Sequence, residues 1–229
     1  MNKLTIFIVA IYCFSPAFAQ KVIQADIQSI LNVRIVTTLS DNKLVYWTDA
    51  LDGGKSGMAT TAAVLITGDK TSKALPDDGV FPADESHPKV VLNYSNSKPT
   101  GFQARRSLGV DSFKITTLKK QYKKVFLFCM SGNGPSNLKF RLTYSDNSVE
   151  QCDRVVPDWF FDLKPTDTNL CILARDMGKW DKNNKMMEAN HHFLHGVILQ
   201  PNPSKKLVKI EVNKDKKGVL TLWGVTLQR

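Results

Sequence analysis

The chain reads as all-β: an antiparallel jelly-roll β-sandwich with long end loops. Three observations predict this. Apolar residues recur at every second position in several stretches, turn-forming residues separate those stretches, and helical periodicity is weak throughout. Many short strands joined by polar turns are the pattern of sandwiches and jelly rolls.

The elements run in chain order. Met1-Asn2-Lys3 gives one positive charge, Leu4 to Phe14 an apolar run, and Ala17-Phe18-Ala19 a small-x-small cleavage site. Residues 1–19 are therefore expected to be a secretory signal peptide, with 20–229 a single exported domain, secreted or periplasmic. The apolar run is shorter than the roughly 20 residues of a membrane span, so no transmembrane segment is expected. Strands are expected at "LNVRIVTTL", "LVYW", "KVVLNYS", "DSFKIT" and "GVILQP". "KVFLFCM" is apolar on both faces, which predicts a central strand covered on both sides.

Two hairpins are clearer. "LKFRLTY" alternates Leu138, Phe140, Leu142 and Tyr144 against Lys139, Arg141 and Thr143, "SDNS" turns, and "VEQCDRVV" returns. "LVKIEV" alternates likewise. "NKDKKG" turns, and "VLTLWGVTLQ" runs back with Val219, Trp223, Val225 and Leu227 expected on one face. The best helical candidate is a short stretch near "NNKMMEAN". Long loops are expected at Thr48 to Met58, Gly68 to Lys89 and Pro157 to Glu188, and such loops often carry function.

The formal charge is +10. A basic surface attracts nucleic acid, anionic polysaccharide or membrane. The lysines are dispersed over turns such as "LKKQYKK" and "NKDKKG" with no nucleic-acid motif beside them, so no nucleic-acid partner is expected. Cys129, Cys152 and Cys171 come after the signal peptide. Their odd number leaves at least one thiol free, and a Cys152–Cys171 disulfide stays open.

Taken together, "YKKVFLFCMSGNGPSNLKFRLTYSDNSVEQCDRVVPDWF", "HGVILQPNPSKKLVKIEV" and "GVLTLWGVTL" resemble secreted bacterial β-sandwiches of the galactose-binding-domain-like type, which include many carbohydrate-binding modules. The resemblance covers roughly Lys89 to Leu227 and lies in the order of pieces. It implies a sandwich fold and carbohydrate or glycoconjugate as partner, but it carries no catalytic motif. The stretch from Gln20 to Pro88 is less clearly matched, as an extra strand layer or a family-specific loop.

Candidate ligand residues are Trp159, Asp158, Arg105, Asp77 and Asp78. Pro157 ends ladder bonding, so "PDWF" leaves the sheet. Trp159 then has two competing roles: a sugar platform with Asp158 as hydroxyl partner, or a plug over the sandwich end, which the high burial typical of tryptophan favours. In "QARRS", Arg105 can grip a sugar acid through its planar fork. "LPDDGVFPADESHP" gathers Asp77, Asp78, Asp84, Glu85 and His87. Calcium is weighed there, although the loop lacks the Asp-x-Asp-x-Asp-Gly spacing; a proline-stiffened turn shaped by Asp77 and Asp78 is the plainer reading. In "NHHFLHG", His191 and His195 share a face on a helix but lie roughly 13 Å apart on a strand, too far for one ion. "SGNGPS" is not a nucleophile elbow, and no catalytic residue is named. A non-catalytic carbohydrate-binding module leads, against a polysaccharide or glycoconjugate hydrolase and a protein-interaction module with no small ligand.

Overall fold

The structure, a computed structural model, describes residues 21–69, 73–188 and 192–229. The expected signal peptide and His191 lie outside the described residues. The fold is an antiparallel β-sandwich whose frame is ten strands. They are β1 (Val22–Gln24), β2 (Arg105–Ser107), β3 (Asp111–Lys120), β4 (Lys124–Gly132), β5 (Ser136–Tyr144), β6 (Val149–Val156), β7 (Leu170–Ala174), β8 (Leu194–Leu199), β9 (Leu207–Lys214) and β10 (Val219–Gln228). The larger sheet runs β10, β4, β8, β7, with β1 and β2 sharing the free edge of β10; the smaller runs β6, β5, β9, β3.

Alternation builds the core between the sheets. On β5, Leu138, Phe140, Leu142 and Tyr144 are buried while Lys139 and Arg141 are exposed. Phe140 sits opposite Cys152 on β6 and Val212 on β9, so the three strands bury the same face. The β5–β6 turn is closed by Asn147 at φ 64° and by Asp146, whose carboxylate accepts the Ser148 N–H at 3.0 Å.

β4 is covered on both sides, as its sequence requires. Val125, Leu127 and Cys129 enter the core between the sheets. Phe126, Phe128 and Met130 enter a second core on the outer face of the larger sheet. Val33, Ile35, Val36, Met58, Leu75, Val90, Leu92 and Tyr94 form the other side of that core. The region between Gln20 and Pro88 is thus largely a covering layer of short strands (Val36–Ser40, Lys43–Val45, Met58–Ala59, Val80–Phe81) and one short helix, Thr61–Leu65. Where it is irregular, the buried Gln103 side chain supplies its hydrogen bonds. Its oxygen accepts the N–H groups of Ile35 at 2.9 Å and Val36 at 2.7 Å, and its nitrogen donates to the Val36 carbonyl at 3.1 Å.

Three sequence expectations are corrected and one open question is resolved. Trp223 does not share a face with Val225 and Leu227. A bulge between Leu222 and Gly224 shifts the alternation, so Trp223 enters the outer core while Val225 and Leu227 stay inside. The "NNKMMEAN" stretch holds a strand, Met186–Glu188, paired with Lys179–Trp180, in place of a helix. The expected loop from Pro157 to Glu188 contains those two strands and β7. The three cysteines are all free, so Cys152 and Cys171 form no disulfide.

Candidate functional site

The loop after β6 is fixed at one end of the sandwich by its backbone. The Trp159 N–H donates to the Ser131 carbonyl on β4 at 2.8 Å, and the Phe193 N–H just before β8 donates to the Trp159 carbonyl at 2.7 Å. Asp158 locks the turn. One carboxylate oxygen accepts the Gly134 N–H at 2.6 Å, the other the Phe160 N–H at 3.1 Å. Every donor here is a main-chain amide, so the segment "PDWFF" is held in one shape.

That shape puts its three aromatic rings in different settings. Trp159 is 1% exposed and lies in the outer core. Its ring packs on His192 at 4.2 Å and edge-on to Phe160 at 5.9 Å. The Lys179 ammonium lies 5.2 Å from the Trp159 ring and 4.9 Å from Phe160. Phe160 is 39% exposed and Phe161 is 65% exposed. Beside Phe161 the carboxylate of Asp162 pairs with Arg175 at 2.7 Å, both side chains being more than half exposed. The Arg175 guanidinium also lies 5.9 Å from the Phe193 ring. His195 is fully buried beneath the loop, its Nε2 3.1 Å from the Phe161 carbonyl. Burial holds the His195 imidazole below its ordinary value, so it stays neutral.

The five residues singled out in the sequence do not converge. Trp159 takes the packing role of its two. Asp158 is occupied by turn amides. Arg105 donates to Asp111 twice, at 3.0 and 2.7 Å, and to the Ile30 carbonyl at 3.2 Å, with its guanidinium 4.9 Å over Phe113. Burial pushes the Asp111 carboxyl up, but hydrogen bonds from Arg105 and Ser107 outweigh it and leave the group below the usual range. Asp158 bridges to Ser131, Ser131 pairs with Leu220, and Leu220 pairs with Ser107 beside Arg105. Three strand spacings, about 14 Å, therefore separate the Asp158 backbone from the strand of Arg105.

Asp78 accepts the Val80 N–H at 2.9 Å and shapes its own turn, as the plainer reading expects, whereas Asp77 accepts the Ala62 N–H at 2.8 Å in the first turn of the Thr61–Leu65 helix. Asp84 accepts the N–H groups of Ser86 and His87 at 2.7 and 2.9 Å within its own turn. Among the described residues, no group of three or more His, Cys, Asp or Glu side chains is placed to hold a metal ion. Asp78 and Asp158 are both engaged in turns. Cys129 and Cys171 are buried, and burial pushes Cys171 up to about 12 and Cys129 well above its ordinary value, which disfavours their thiolates.

Sequence reasoning stopped one residue short of the exposed ring. Phe161 directly follows "PDWF". Asp162 and Arg175 were missed because their pairing joins the rim loop to the residue just after β7, which no local spacing reveals.

No protein-family model matches the chain, and no curated protein matches it.

Proposed function

We propose that the chain is an exported, non-catalytic β-sandwich module that binds carbohydrate at the rim loop after β6. The observation that carries this is Phe161: a ring 65% exposed, on a loop fixed by main-chain bonds, beside the exposed Asp162–Arg175 pair. Sugar CH groups stack on an aromatic face, while hydroxyls need a donor and an acceptor fixed close by. Phe161 supplies the face, Arg175 donates and Asp162 accepts. A rigid rim lowers the ordering cost of binding, which matters for a small ligand with few contacts. The strand order also supports reading the sandwich as a jelly roll. β2, β10, β4 and β8 run in that order in one sheet and β3, β9, β5 and β6 in the other, the order that two interlocked Greek keys give.

The test is a glycan array probed with residues 20–229, as wild type and as Phe161→Ala, with calcium and with chelator. Selective binding that Phe161→Ala abolishes, unaffected by chelator, is the expected result. Binding that survives Phe161→Ala sinks the site assignment, and no binding by wild type sinks the reading.

A second reading is a docking face for a protein. It is favoured by Phe160 and Phe161 on the rim loop, exposed by 39% and 65%, and by Met187 on the strand Met186–Glu188, exposed by 56%. A silent array with tight capture of one protein partner, lost in Phe161→Ala, would select it.

A further inference from the structure

We infer that the opposite end of the sandwich is a binding surface for a linear acidic polysaccharide, one bearing sulfate or carboxylate groups along its chain. This inference concerns different residues from the rim and does not depend on the rim reading.

Lysines dispersed in sequence are gathered here in space. The β3–β4 turn carries Lys119, Lys120, Lys123 and Lys124. The β8–β9 turn carries Lys205 and Lys206. Lys120 pairs in register with Leu207, and Gln121 donates to the Ser204 carbonyl at 3.2 Å, so the two turns lie side by side. The Lys123 N–H donates to the Gln228 carbonyl at 2.8 Å, and the Arg229 N–H to the Lys21 carbonyl at 3.1 Å, which adds two more cations. Lys89 joins from the covering layer. It lines a cleft of about 500 Å³ together with Lys123, Lys124, Asp84 and Glu85.

These charges are available. Among the described residues, Lys89, Lys119, Lys120, Lys123, Lys124 and Lys206 have no carboxylate within ion-pair distance. Three carboxylates of this end are engaged, Asp146 with Lys205 at 3.2 Å, Glu150 with the Tyr144 hydroxyl and Asp84 within its own turn, while the exposed Glu85 offsets one of the lysine charges. The register shift near the end of β3 leaves Lys119 at φ 30°, a strained backbone that re-aims the end of the strand. Unpaired lysines on short fixed turns create a local positive potential that a polyanion neutralises, releasing its counterions.

The surroundings favour a polysaccharide over other polyanions. Tyr122, Tyr144 and Phe126 are all buried, so no aromatic ring is offered for nucleobases to stack on. Leu118 and Val149 are exposed here, but they lie on β3 and β6, opposite edges of the smaller sheet, and make no continuous face to enter a bilayer.

The test measures binding of residues 20–229 to dextran sulfate, neutral dextran, duplex DNA and anionic phospholipid vesicles at about 0.15 M salt. Two variants remove equal charge: Lys120→Gln/Lys123→Gln/Lys124→Gln/Lys206→Gln at this end, and Lys55→Gln/Lys98→Gln/Lys139→Gln/Lys216→Gln elsewhere. Dextran sulfate is expected to bind, neutral dextran not to, and the first variant to lose about tenfold or more in affinity with a shallower salt dependence. The second variant is expected to stay within about twofold of wild type. Equal losses in both variants would show that net charge acts without a site. DNA or vesicles bound as tightly as dextran sulfate would overturn the polysaccharide assignment, and no binding to dextran sulfate would overturn the surface itself. Unchanged unfolding midpoints exclude misfolding, and loss of rim binding with retained dextran sulfate binding separates the two proposals.

Discussion

The two ends of the sandwich use lysine-rich turns in opposite ways. At the rim end, "NKDKKG" joins β9 to β10, and its Lys214 is 2% exposed. The ammonium donates to the carbonyls of Gly109, Asp215 and Lys217 at 3.1, 2.9 and 2.9 Å. That lysine is part of the scaffold, and burial lowers its proton affinity from the ordinary value. At the other end, "KKQYKK" makes no comparable bonds through its ammonium groups, and its cations face solvent. The difference teaches that a charged turn is structural or available according to whether backbone carbonyls converge on it. Composition does not decide that; the packing of neighbouring loops does.

The same division appears inside the rim loop, where Trp159 holds and Phe161 presents. Removing the holding residue should have the largest effect. Trp159→Ala deletes a buried ring under His192 and Lys179 and is expected to cost about 3–5 kcal/mol in urea unfolding. A cost near zero would mean the loop is not anchored through this ring. Next comes Lys214→Met, which leaves three carbonyls without their shared donor and should cost about 1–3 kcal/mol. The same lysine-to-neutral change at Lys123 should move stability by no more than about 0.5 kcal/mol, and equal costs at the two positions would erase the contrast between the ends.

The pH dependence sharpens the rim further. The folded-state value of His195 lies below its ordinary 6.5 because the ring is desolvated. Below that pH the unfolded chain binds a proton that the folded chain resists, so stability is full above 6.5 and declines as pH falls beneath it. Melting temperature measured from about pH 7.5 to about pH 5 should therefore drop more steeply in wild type than in His195→Leu. Parallel profiles would show that His195 titrates normally in the fold. Asp158 and Asp162, which favour its charged form, are too weak to reverse the sign.

Much of the fold was legible because its signals are local. β5 alternates cleanly, the turns after β5 and β9 carry Asp, Asn and Gly, and the two-sided apolar run of β4 announced a covered sheet. The bulge in β10 was marked only by Gly224, a lone glycine in a strand that does not by itself fix which neighbour shifts; the face of Trp223 is decided by Leu92 and Tyr94 from the covering layer. Met186–Glu188 became a strand through pairing with Lys179–Trp180, a contact that no helical or strand period in so short a stretch could specify. The candidate site was legible in place but not in identity. "PDWF" marked the rim, yet which ring faces out depends on Ser131 and Phe193 clamping the Trp159 backbone. Arg105 and the aspartates at 77 and 78 looked available because their partners, Asp111 and the N–H groups of Ala62 and Val80, are visible only once the chain is folded.

The most direct measurement is a paired titration of Phe161→Ala: affinity for the best array glycan by calorimetry, and unfolding free energy by urea on the same protein. A binding role for Phe161 predicts an affinity loss of at least about tenfold, with stability within about 0.5 kcal/mol of wild type. Unchanged affinity, or a stability loss as large as that of Trp159→Ala, would contradict the division between a ring that holds the rim and a ring that binds.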